Sequence, residues 1–368
     1  MKIAVLASGD IHTTKWVNSF VQMGHEVHLI MLEPVLEETK AQLHVLPFPR
    51  PLGGILNFWH LRRLLKRLKP DLLHVHGASL DGLLGRLSGF HPSVVSVLGS
   101  DVFTFPYESR LKHRILIDNL KHYDWIGSTS EYMAEQVLRL LPGEQRVTVT
   151  PFGVNLQSFA PRPELRNKNF ITIGTVKTLH PKYGVDLLIN AFARARTRLQ
   201  QTAPDLAGKM RLLIVGRGPL RAVLLELVNQ LGLQDFVEFV QQVPNKQVPE
   251  LLNRMDVFVA LSRCKSESFG VAVVEASACE LPVVVSNMGG LPEVVRNGET
   301  GIIVEPENAD KAADALIQLI SDEGLRAKMG SAGRLRVQRE YEWSGCVKKM
   351  QTLYSHVLAG RANGTASR

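Results

Sequence analysis

Two glutamates, Glu267 and Glu275, lie with seven residues between them where a short apolar run passes into a helical pattern. A strand is predicted over Val257 to Ala260, and a helix is predicted to begin near Gly270. The start of a helix favours a bound phosphate, because its backbone N–H groups are unpaired and its dipole is positive there. Glu275 in the second turn could accept hydrogen bonds from both hydroxyls of a ribose, and Glu267 could hold sugar hydroxyls. The spacing by itself also fits two surface glutamates.

The rest of the chain alternates short apolar runs with amphipathic helical patterns, which favours parallel sheets of the Rossmann type. Residues 155–169 interrupt the alternation with a polar segment that holds two prolines, and a linker is predicted there. We therefore predict an α/β protein with two Rossmann-like domains, residues 1–160 and 161–342, that face each other across a cleft. The predicted strands are Ile3–Leu6, Glu26–Met31, Leu43–Leu46, Leu72–Val75, Val94–Leu98, Trp125–Ser128, Val147–Thr150, Phe170–Gly174, Arg211–Val215, Phe236–Phe239, Val257–Ala260 and Pro282–Ser286.

Helices are predicted between these strands, among them Thr14–Met23, ended by Gly24, and Phe58–Leu68. Three helical stretches close the chain, and the last is predicted over Tyr341–Leu358.

Length and composition agree with two globular domains. The 368 residues are 45% apolar and 21% charged, which is typical of a soluble protein. Three scattered cysteines fit neither a disulfide framework nor a CxxC metal site, so a reducing compartment is expected. No window approaches the ~20 apolar residues of a membrane span, and the first apolar run is too short for a signal peptide. These features predict a cytoplasmic protein.

The segment around the two glutamates resembles the E-x7-E signature of the retaining glycosyltransferases of family 4, which have the GT-B fold. The resemblance covers nearly the whole chain and is most specific from about residue 170 to residue 305. The motifs that carry it in the C-terminal half are Pro151-Phe-Gly-Val-Asn, Gly216-Arg-Gly-Pro-Leu, Val243-Pro-Asn, Ser266-Glu-Ser-Phe-Gly-Val-Ala-Val-Val-Glu, Gly289-Gly-Leu-Pro-Glu-Val-Val and Asn297-Gly-Glu-Thr-Gly. The looser N-terminal motifs are Ile11-His-Thr, Gly24-His-Glu-Val, His74-Val-His-Gly and Gly99-Ser-Asp.

The resemblance implies a role for each glutamate: Glu267 contacts the donor sugar and Glu275 the ribose. It also implies that the backbone of Phe269, Gly270 and Val271 binds the diphosphate. The other donor-binding residues implied in this way are Gly216, Val243 and Gly9.

Two lysines match the cations that the family places on the diphosphate. Lys182 stands where the family has lysine, and Lys177 stands where arginine is usual. Breaking the bond from a sugar to a nucleoside diphosphate leaves negative charge on the leaving group, which preorganised cations stabilise. Lysine supplies the charge without the bidentate fork of arginine. The alternative for both residues is ordinary solvated loop charge.

The N-terminal half departs from the family at one position. Many members carry a histidine near the donor sugar, and here Leu98 occupies that place and offers no hydrogen bond. Asp101 is then the best polar candidate of this loop, with a helix N-cap as the alternative role. The loop after the first strand supplies Gly9, Asp10 and His12, which the resemblance places near the acceptor or the transferred sugar. A turn followed by a helix cap explains that loop equally well.

No metal or dinucleotide cofactor is expected. His74 and His76 point to one face of a strand but have no third ligand in the nearby sequence. The chain contains no Asp-x-Asp motif, which argues against the metal-dependent GT-A class of glycosyltransferase. The segment at Gly216 lacks the third glycine of a dinucleotide fingerprint.

The net charge of +8 raises the question of an anionic partner. Basic residues exceed acidic ones by two in residues 1–160 and by six in the remainder. The larger excess lies in the half that resembles a diphosphate binder, so nucleic acid is not the expected partner. Residues 58–69 form a basic helical segment without an acid, and it is either a solvated face or a dock for the anionic inner face of a membrane.

Taken together, the sequence predicts a metal-independent retaining glycosyltransferase that moves a sugar from a UDP- or GDP-sugar to a hydroxyl acceptor. A lipid-linked glycan or a cell-surface polysaccharide precursor is the expected acceptor. The segment 343–368 resembles the terminal helix that returns to the N-terminal domain in this family. An epimerase or phosphorylase with the GT-B fold and a non-catalytic nucleotide-binding subunit are the alternatives.

Overall fold

The structure is a computed structural model that describes residues 1–8, 11–33, 38–50 and 52–362. The chain divides into two compact units. Unit 1 comprises Met1–Phe152 together with the chain from Ser344 onward, and unit 2 comprises Gly153–Trp343. The predicted binding of the acceptor by residues 1–160 and of the donor by residues 161–342 stays a prediction.

Unit 1 contains a sheet of seven parallel strands in the order β3-β2-β1-β4-β5-β6-β7. The strands are β1 (Lys2–Leu6), β2 (Glu26–Met31), β3 (Gln42–Val45), β4 (Leu72–His76), β5 (Ser93–Val97), β6 (Trp125–Ser128) and β7 (Val147–Val149). The helices are α1 (Ile11–Gln22), α2 (Gly53–Leu56), α3 (Phe58–Leu68), α4 (Leu80–Ser88), α5 (Ser100–Phe103), α6 (Phe105–Glu108), α7 (Arg110–His122) and α8 (Glu131–Leu140).

The apolar stripe of the basic helix packs as predicted. Leu61, Leu64 and Leu65 of α3 are buried in one core cluster with side chains of β4, α4 and α7. The cations of α3 are left on its exposed face. The first helix begins at Ile11 rather than Thr14, so that part of the prediction is wrong by one turn.

Unit 2 contains a second sheet of six parallel strands in the order β10-β9-β8-β11-β12-β13. Its strands are β8 (Ile171–Val176), β9 (Met210–Val215), β10 (Val237–Val240), β11 (Val257–Ala260), β12 (Val283–Ser286) and β13 (Gly301–Val304). Its helices are α9 (Val185–Thr202), α10 (Pro204–Lys209), α11 (Arg221–Gln230), α12 (Val248–Asn253), α13 (Val271–Ala278), α14 (Leu291–Val294), α15 (Ala309–Ser321) and α16 (Glu323–Glu340). Three short 3-10 turns occupy Pro163–Leu165, Pro181–Tyr183 and Asn245–Gln247.

The chain leaves its helical course after Glu340, so the predicted single helix from Tyr341 is wrong at its start. The carbonyl of Tyr341 accepts a hydrogen bond from the Val154 N–H at 2.8 Å, and the Trp343 N–H donates to the Val154 carbonyl at 3.0 Å. These bonds pair Glu342 with Val154 in an isolated bridge, and the last helix, α17, begins at Trp343 and ends at Ala362.

From Ser344 onward α17 belongs to unit 1, which confirms the predicted return of the terminal helix. The Tyr354 hydroxyl lies 2.6 Å from His74 Nδ1, and its ring lies 5.2 Å from that of Phe20. Because these partners belong to β4 and α1, the helix is fixed to the sheet of unit 1. No helix of the part of the chain that the structure describes is both long enough and apolar enough to cross a membrane.

Candidate active site

The candidate site of unit 2 lies at the carboxyl edge of its sheet. Lys177 follows β8, Gly216 follows β9, Val243 follows β10 and Glu267 follows β11. Because the four strands are parallel, their carboxyl ends lie along one edge, which is where open α/β sheets bind ligands. The sequence-predicted donor residues of this unit therefore lie along one edge.

Glu267 is held by two side chains. Lys177 Nζ donates to Glu267 Oε2 at 2.9 Å, and Ser262 Oγ donates to the same oxygen at 2.9 Å. The side chains of Lys177 and Glu267 are only 10% and 11% exposed. A shielded ion pair therefore joins two of the residues predicted to act on the donor.

The pKa of Glu267 lies below its ordinary value. Burial raises the pKa of this carboxyl, but the charge and hydrogen bond of Lys177, the hydrogen bond of Ser262 and the charge of Lys182 together lower it further. Glu267 is thus an ionised acceptor for hydroxyl groups at neutral pH.

The loop that carries Glu267 is fixed by its backbone. The Glu267 N–H donates to the Cys264 carbonyl at 3.0 Å, and the Gly290 N–H donates to the Glu267 carbonyl at 2.8 Å. Ser286 Oγ donates to the Ser262 carbonyl at 2.6 Å. These bonds connect the loop to the end of β12 and to the Gly-Gly segment before α14, so the carboxylate is positioned in advance.

The two lysines share one aromatic ring. The ammonium of Lys177 lies 4.8 Å and that of Lys182 lies 4.7 Å from the ring centroid of Tyr183. Such contacts partly offset the repulsion between two like charges. The loop of Lys177 also requires Gly216, which has φ of +152°, because a Cβ there would lie 1.9 Å from the Lys177 carbonyl oxygen. The structure thus places positive charge beside Glu267.

Helix α13 begins as the sequence predicts. Gly270 is its N-cap with φ of +94°, a conformation that favours glycine, and Val271 is the first helical residue. Phe269 is buried, and its ring lies 5.4 Å from that of Tyr341. Glu275 is only 7% exposed in the second turn. The start of the helix and Glu275 therefore belong to the same element as predicted.

In unit 1, the ring of His12 lies close to the segment that follows β7. The ring of His12 stacks on Phe152 at 4.5 Å. His12, His76 and Leu98 line one small cavity at the carboxyl ends of the strands, where Leu98 contributes an apolar wall. Gly9 and Asp10 lie outside the described residues.

Asp101 binds the backbone around it. Its carboxylate accepts from the N–H groups of Gly99 at 2.8 Å, Ala78 at 2.9 Å and Leu98 at 3.1 Å. Its side chain makes no N-cap bond to α5, whose N-cap is Gly99. Burial raises the pKa of Asp101, and the three backbone donors oppose that rise. The structure therefore places this carboxylate as a brace between the loops after β4 and β5.

The histidine pair on β4 is held by side chains of unit 1. His74 Nε2 lies 2.8 Å from Ser96 Oγ, and His76 Nδ1 lies 3.1 Å from Thr13 Oγ1. Among the residues with described positions, no group of three histidine, cysteine or acidic side chains is placed to hold a metal ion.

Two polar residues of this loop, Ser262 and Arg263, were not predicted, although they lie just after β11. Their position in the sequence could have indicated them, because polar residues at the end of a buried strand lie at the edge where a ligand binds. The role of Ser262 depends on a bond to Glu267 that no sequence pattern displays.

Comparison with known proteins identifies the family of the chain. Family models match in two parts: Glycosyl transferases group 1 over residues 157–336 and Glycosyl transferase 4-like over residues 2–130. The chain is 27% identical to N-acetyl-alpha-D-glucosaminyl L-malate synthase of Bacillus anthracis over 95% of this chain and 94% of the relative. It is 30% identical to a GDP-mannose-dependent alpha-(1-6)-phosphatidylinositol monomannoside mannosyltransferase of Mycolicibacterium smegmatis, over 72% of this chain and 70% of the relative.

A solved structure shows the same fold at lower identity. HepE of Anabaena in complex with UDP superposes with a TM-score of 0.83 at 18% identity, covering 97% of this chain and 100% of HepE. The superposition and the family models together identify a glycosyltransferase with the GT-B fold. The chain belongs to glycosyltransferase family 4, and it transfers a sugar from a nucleotide sugar.

Proposed function

We propose that the protein is a metal-independent retaining glycosyltransferase that uses a UDP- or GDP-sugar. The observation that carries the proposal is the shielded Lys177–Glu267 ion pair, with Lys182 nearby, at the carboxyl edge of the unit 2 sheet. A nucleoside diphosphate would find two cations and the start of α13 at that edge. The sugar would find an ionised carboxylate.

The chemistry follows from the charges. When the bond between the sugar C1 and the diphosphate oxygen breaks, negative charge grows on the diphosphate. Lys177, Lys182 and the backbone at Gly270 and Val271 stabilise that charge without a metal ion. The second glutamate, Glu275, accepts hydrogen bonds from the ribose.

Retention is explained by attack on the face that the diphosphate leaves. Glu267 already accepts hydrogen bonds from Lys177 and Ser262, which suits a carboxylate that orients sugar hydroxyls rather than one that attacks C1. In this proposal the acceptor oxygen bonds to C1, and its proton passes to the departing diphosphate oxygen. His12 and Asp101 of unit 1 would act on the acceptor side, His12 by contact and Asp101 by holding its loop.

The choice of nucleotide is supported by the relatives. The mycobacterial relative is named for its use of GDP-mannose, and HepE was solved with UDP. Both nucleotides carry the diphosphate that the lysines would bind. We therefore propose a UDP- or GDP-sugar as the donor.

We further propose a lipid-linked acceptor and a site of action at the inner face of a membrane in the cytoplasm. Helix α3 exposes cations along its length, and apolar side chains lie exposed at its N-terminal end. Basic side chains beside exposed apolar ones are typical of surfaces that bind anionic lipid. The exposed cations are Arg62, Arg63, Lys66, Arg67 and Lys69, and the exposed apolar residues are Leu52, Ile55, Leu56 and Trp59.

A panel of UDP- and GDP-sugars tests the proposed activity directly. The protein is incubated with each donor and with a polyprenyl-linked or phosphoinositide-type acceptor, in the presence and absence of EDTA. We expect a product with the anomeric configuration of the donor, formed equally with EDTA. Conversion of a donor without an acceptor would indicate an epimerase, and an inverted product or loss of activity in EDTA would contradict the proposal.

A further inference from the structure

Arg263 joins three segments of unit 2 that are far apart in sequence. Its guanidinium makes two parallel hydrogen bonds to the Asp186 carboxylate, at 2.6 and 2.8 Å. Its Nε donates to Glu307 at 2.8 Å. The Asp186 partner lies in the first turn of α9, and Glu307 lies between β13 and α15. Arg263 is thereby fixed in place from two sides.

The same residue is bonded to the turn that carries Lys182. The backbone N–H of Arg263 donates to the Lys182 carbonyl at 2.8 Å, and Nη1 of its side chain donates to the Pro181 carbonyl at 3.3 Å. The neighbour of Arg263 is Ser262, whose hydroxyl holds Glu267. One residue therefore ties the loop of the sugar carboxylate to the loop of the diphosphate lysine.

We propose that Arg263 is a positioning residue for the donor, one that fixes Lys182 relative to Glu267. The inference rests on the proposed function, in which Lys182 binds the diphosphate and Glu267 the sugar. Arg263 needs no contact with the donor for this role. Its effect passes through the two loops that it joins.

The turn of Lys182 needs such support. It is a 3-10 turn of only three residues, Pro181–Tyr183, and Lys182 lies close to the like charge of Lys177 across the Tyr183 ring. Repulsion between the two ammonium groups favours displacement of this turn towards solvent, since none of its three residues is buried. Cations stabilise a developing charge best when they are held in place before the reaction, because no energy is then spent on reorganisation.

Arginine is suited to this role and lysine is not an equal replacement. The planar guanidinium binds Asp186 with two bonds and still has donors for Glu307 and Pro181. A lysine at this position could reach one carboxylate as a point charge but could not hold all three partners. The conservative variant should therefore restore only part of the function.

The test compares nucleotide binding and donor kinetics in Arg263→Gln, Arg263→Lys and Asp186→Asn with the wild type. Calorimetric titration with UDP and GDP gives the affinity, and initial rates give kcat and donor KM. Arg198→Gln is the matched control, because Arg198 also bridges two acidic side chains in unit 2, one of them Asp314 at 2.7 Å, away from the Lys182 turn.

We expect Arg263→Gln to weaken nucleotide binding about tenfold or more and to raise donor KM while kcat also falls. Arg263→Lys should recover part of the loss, Asp186→Asn should show a smaller loss of the same kind, and Arg198→Gln should bind as the wild type does. Asp186→Asn retains the arginine but removes the charge of the carboxylate that binds it with two hydrogen bonds, so it provides the result if Arg263→Gln does not fold.

Binding by Arg263→Gln within twofold of the wild type would overturn the positioning role, as would an equal loss in Arg198→Gln. If Arg263→Gln does not fold, wild-type binding by Asp186→Asn would overturn it in the same way. A wild-type protein that binds neither nucleotide and turns over no donor would instead overturn the proposed function, and the inference with it. The two failures are thus distinguished by the wild-type measurement.

Discussion

Lys177 Nζ and Glu267 Oε2 lie 2.9 Å apart, although 90 residues separate them in the chain. Both side chains are about nine-tenths shielded from solvent. Charges in such a place are costly unless they are paired, and the charge and hydrogen bond of Lys177 favour the ionised form of Glu267. In the proposed function, Lys177 is a cation for the diphosphate and Glu267 is an acceptor for the sugar hydroxyls.

The ion pair predicts how stability depends on pH. The folded pKa of Glu267 is lower than its ordinary value of 4.5, so the stabilisation is fully present above about pH 5 and is lost as the pH falls through the folded pKa. At pH 7 we expect Glu267→Gln to unfold with a free energy about 2 kcal/mol lower than the wild type. Urea unfolding at several pH values should show this difference shrinking below pH 5.

The control for that experiment is Glu238→Gln, which removes an exposed ion pair to Arg254. An exposed pair contributes at most about 1 kcal/mol, so its difference from the wild type should be small throughout. A gap between wild type and Glu267→Gln that is the same at pH 7 and pH 3.5 would contradict the assigned environment of Glu267.

Lys182 is predicted to act on the donor without contributing to the core. Lys182→Ala should weaken UDP or GDP binding roughly ten- to a hundredfold, because a charge-assisted bond to the diphosphate is lost. Its free energy of unfolding should change by less than about 0.5 kcal/mol, since the side chain lies in a partly exposed turn. Titration calorimetry and urea unfolding measure the two quantities.

Lys209→Ala is the matched control for Lys182. Lys209 is an exposed lysine of the same unit, at the end of α10 before β9, so it lies at the opposite edge of the sheet. The Lys209→Ala variant should bind nucleotide as the wild type does. Equal weakening in both variants would mean that net charge, rather than the Lys182 site, governs binding.

Glu275 is predicted to recognise the ribose rather than the diphosphate. Glu275→Gln should weaken UDP or GDP binding about tenfold, because hydrogen bonds from the ribose to a charged acceptor are lost. Binding of inorganic pyrophosphate, which has no ribose, should not change. Competition titrations with both ligands measure the contrast, and an equal loss for pyrophosphate would place Glu275 elsewhere in the site.

The basic helix predicts binding to anionic lipid. A variant with glutamine at positions 62, 63, 66 and 67 should lose more than a hundredfold in partition to phosphatidylglycerol vesicles, since each cation contributes about 1 kcal/mol near such a surface. Sedimentation with vesicles at low and high salt measures the effect.

The control variant has glutamine in place of four exposed lysines of unit 2, which removes the same charge, and it should retain vesicle binding. Equal binding by the helix variant and the control would show that α3 is a solvated face. The four substituted positions of the control are Lys168, Lys209, Lys311 and Lys328.

Much of the fold could be predicted because buried parallel strands are continuous apolar runs. Twelve predicted strands are present with small shifts at their ends. Strand β13 was not predicted, because Gly301–Val304 is short and directly follows a turn motif. The start of α17 was placed too early because pairing with Val154, nearly two hundred residues away, ends the preceding helix.

The placement of candidate site residues could be predicted where they are close in sequence. Gly270 and Glu275 lie on one short helix, so their relation is visible in the sequence. The backbone bonds of Asp101 and the three-way contact of Arg263 depend on loops brought together by the sheet. No periodicity or spacing displays such contacts.

The turnover number of Glu267→Gln measures whether the Glu267 carboxylate acts on the donor sugar. The variant keeps the shape of the side chain and removes its charge. With saturating donor and acceptor we predict that kcat falls about a hundredfold or more, while nucleotide binding is retained because Lys177 and Lys182 remain. A turnover number equal to that of the wild type would contradict the assigned role of Glu267.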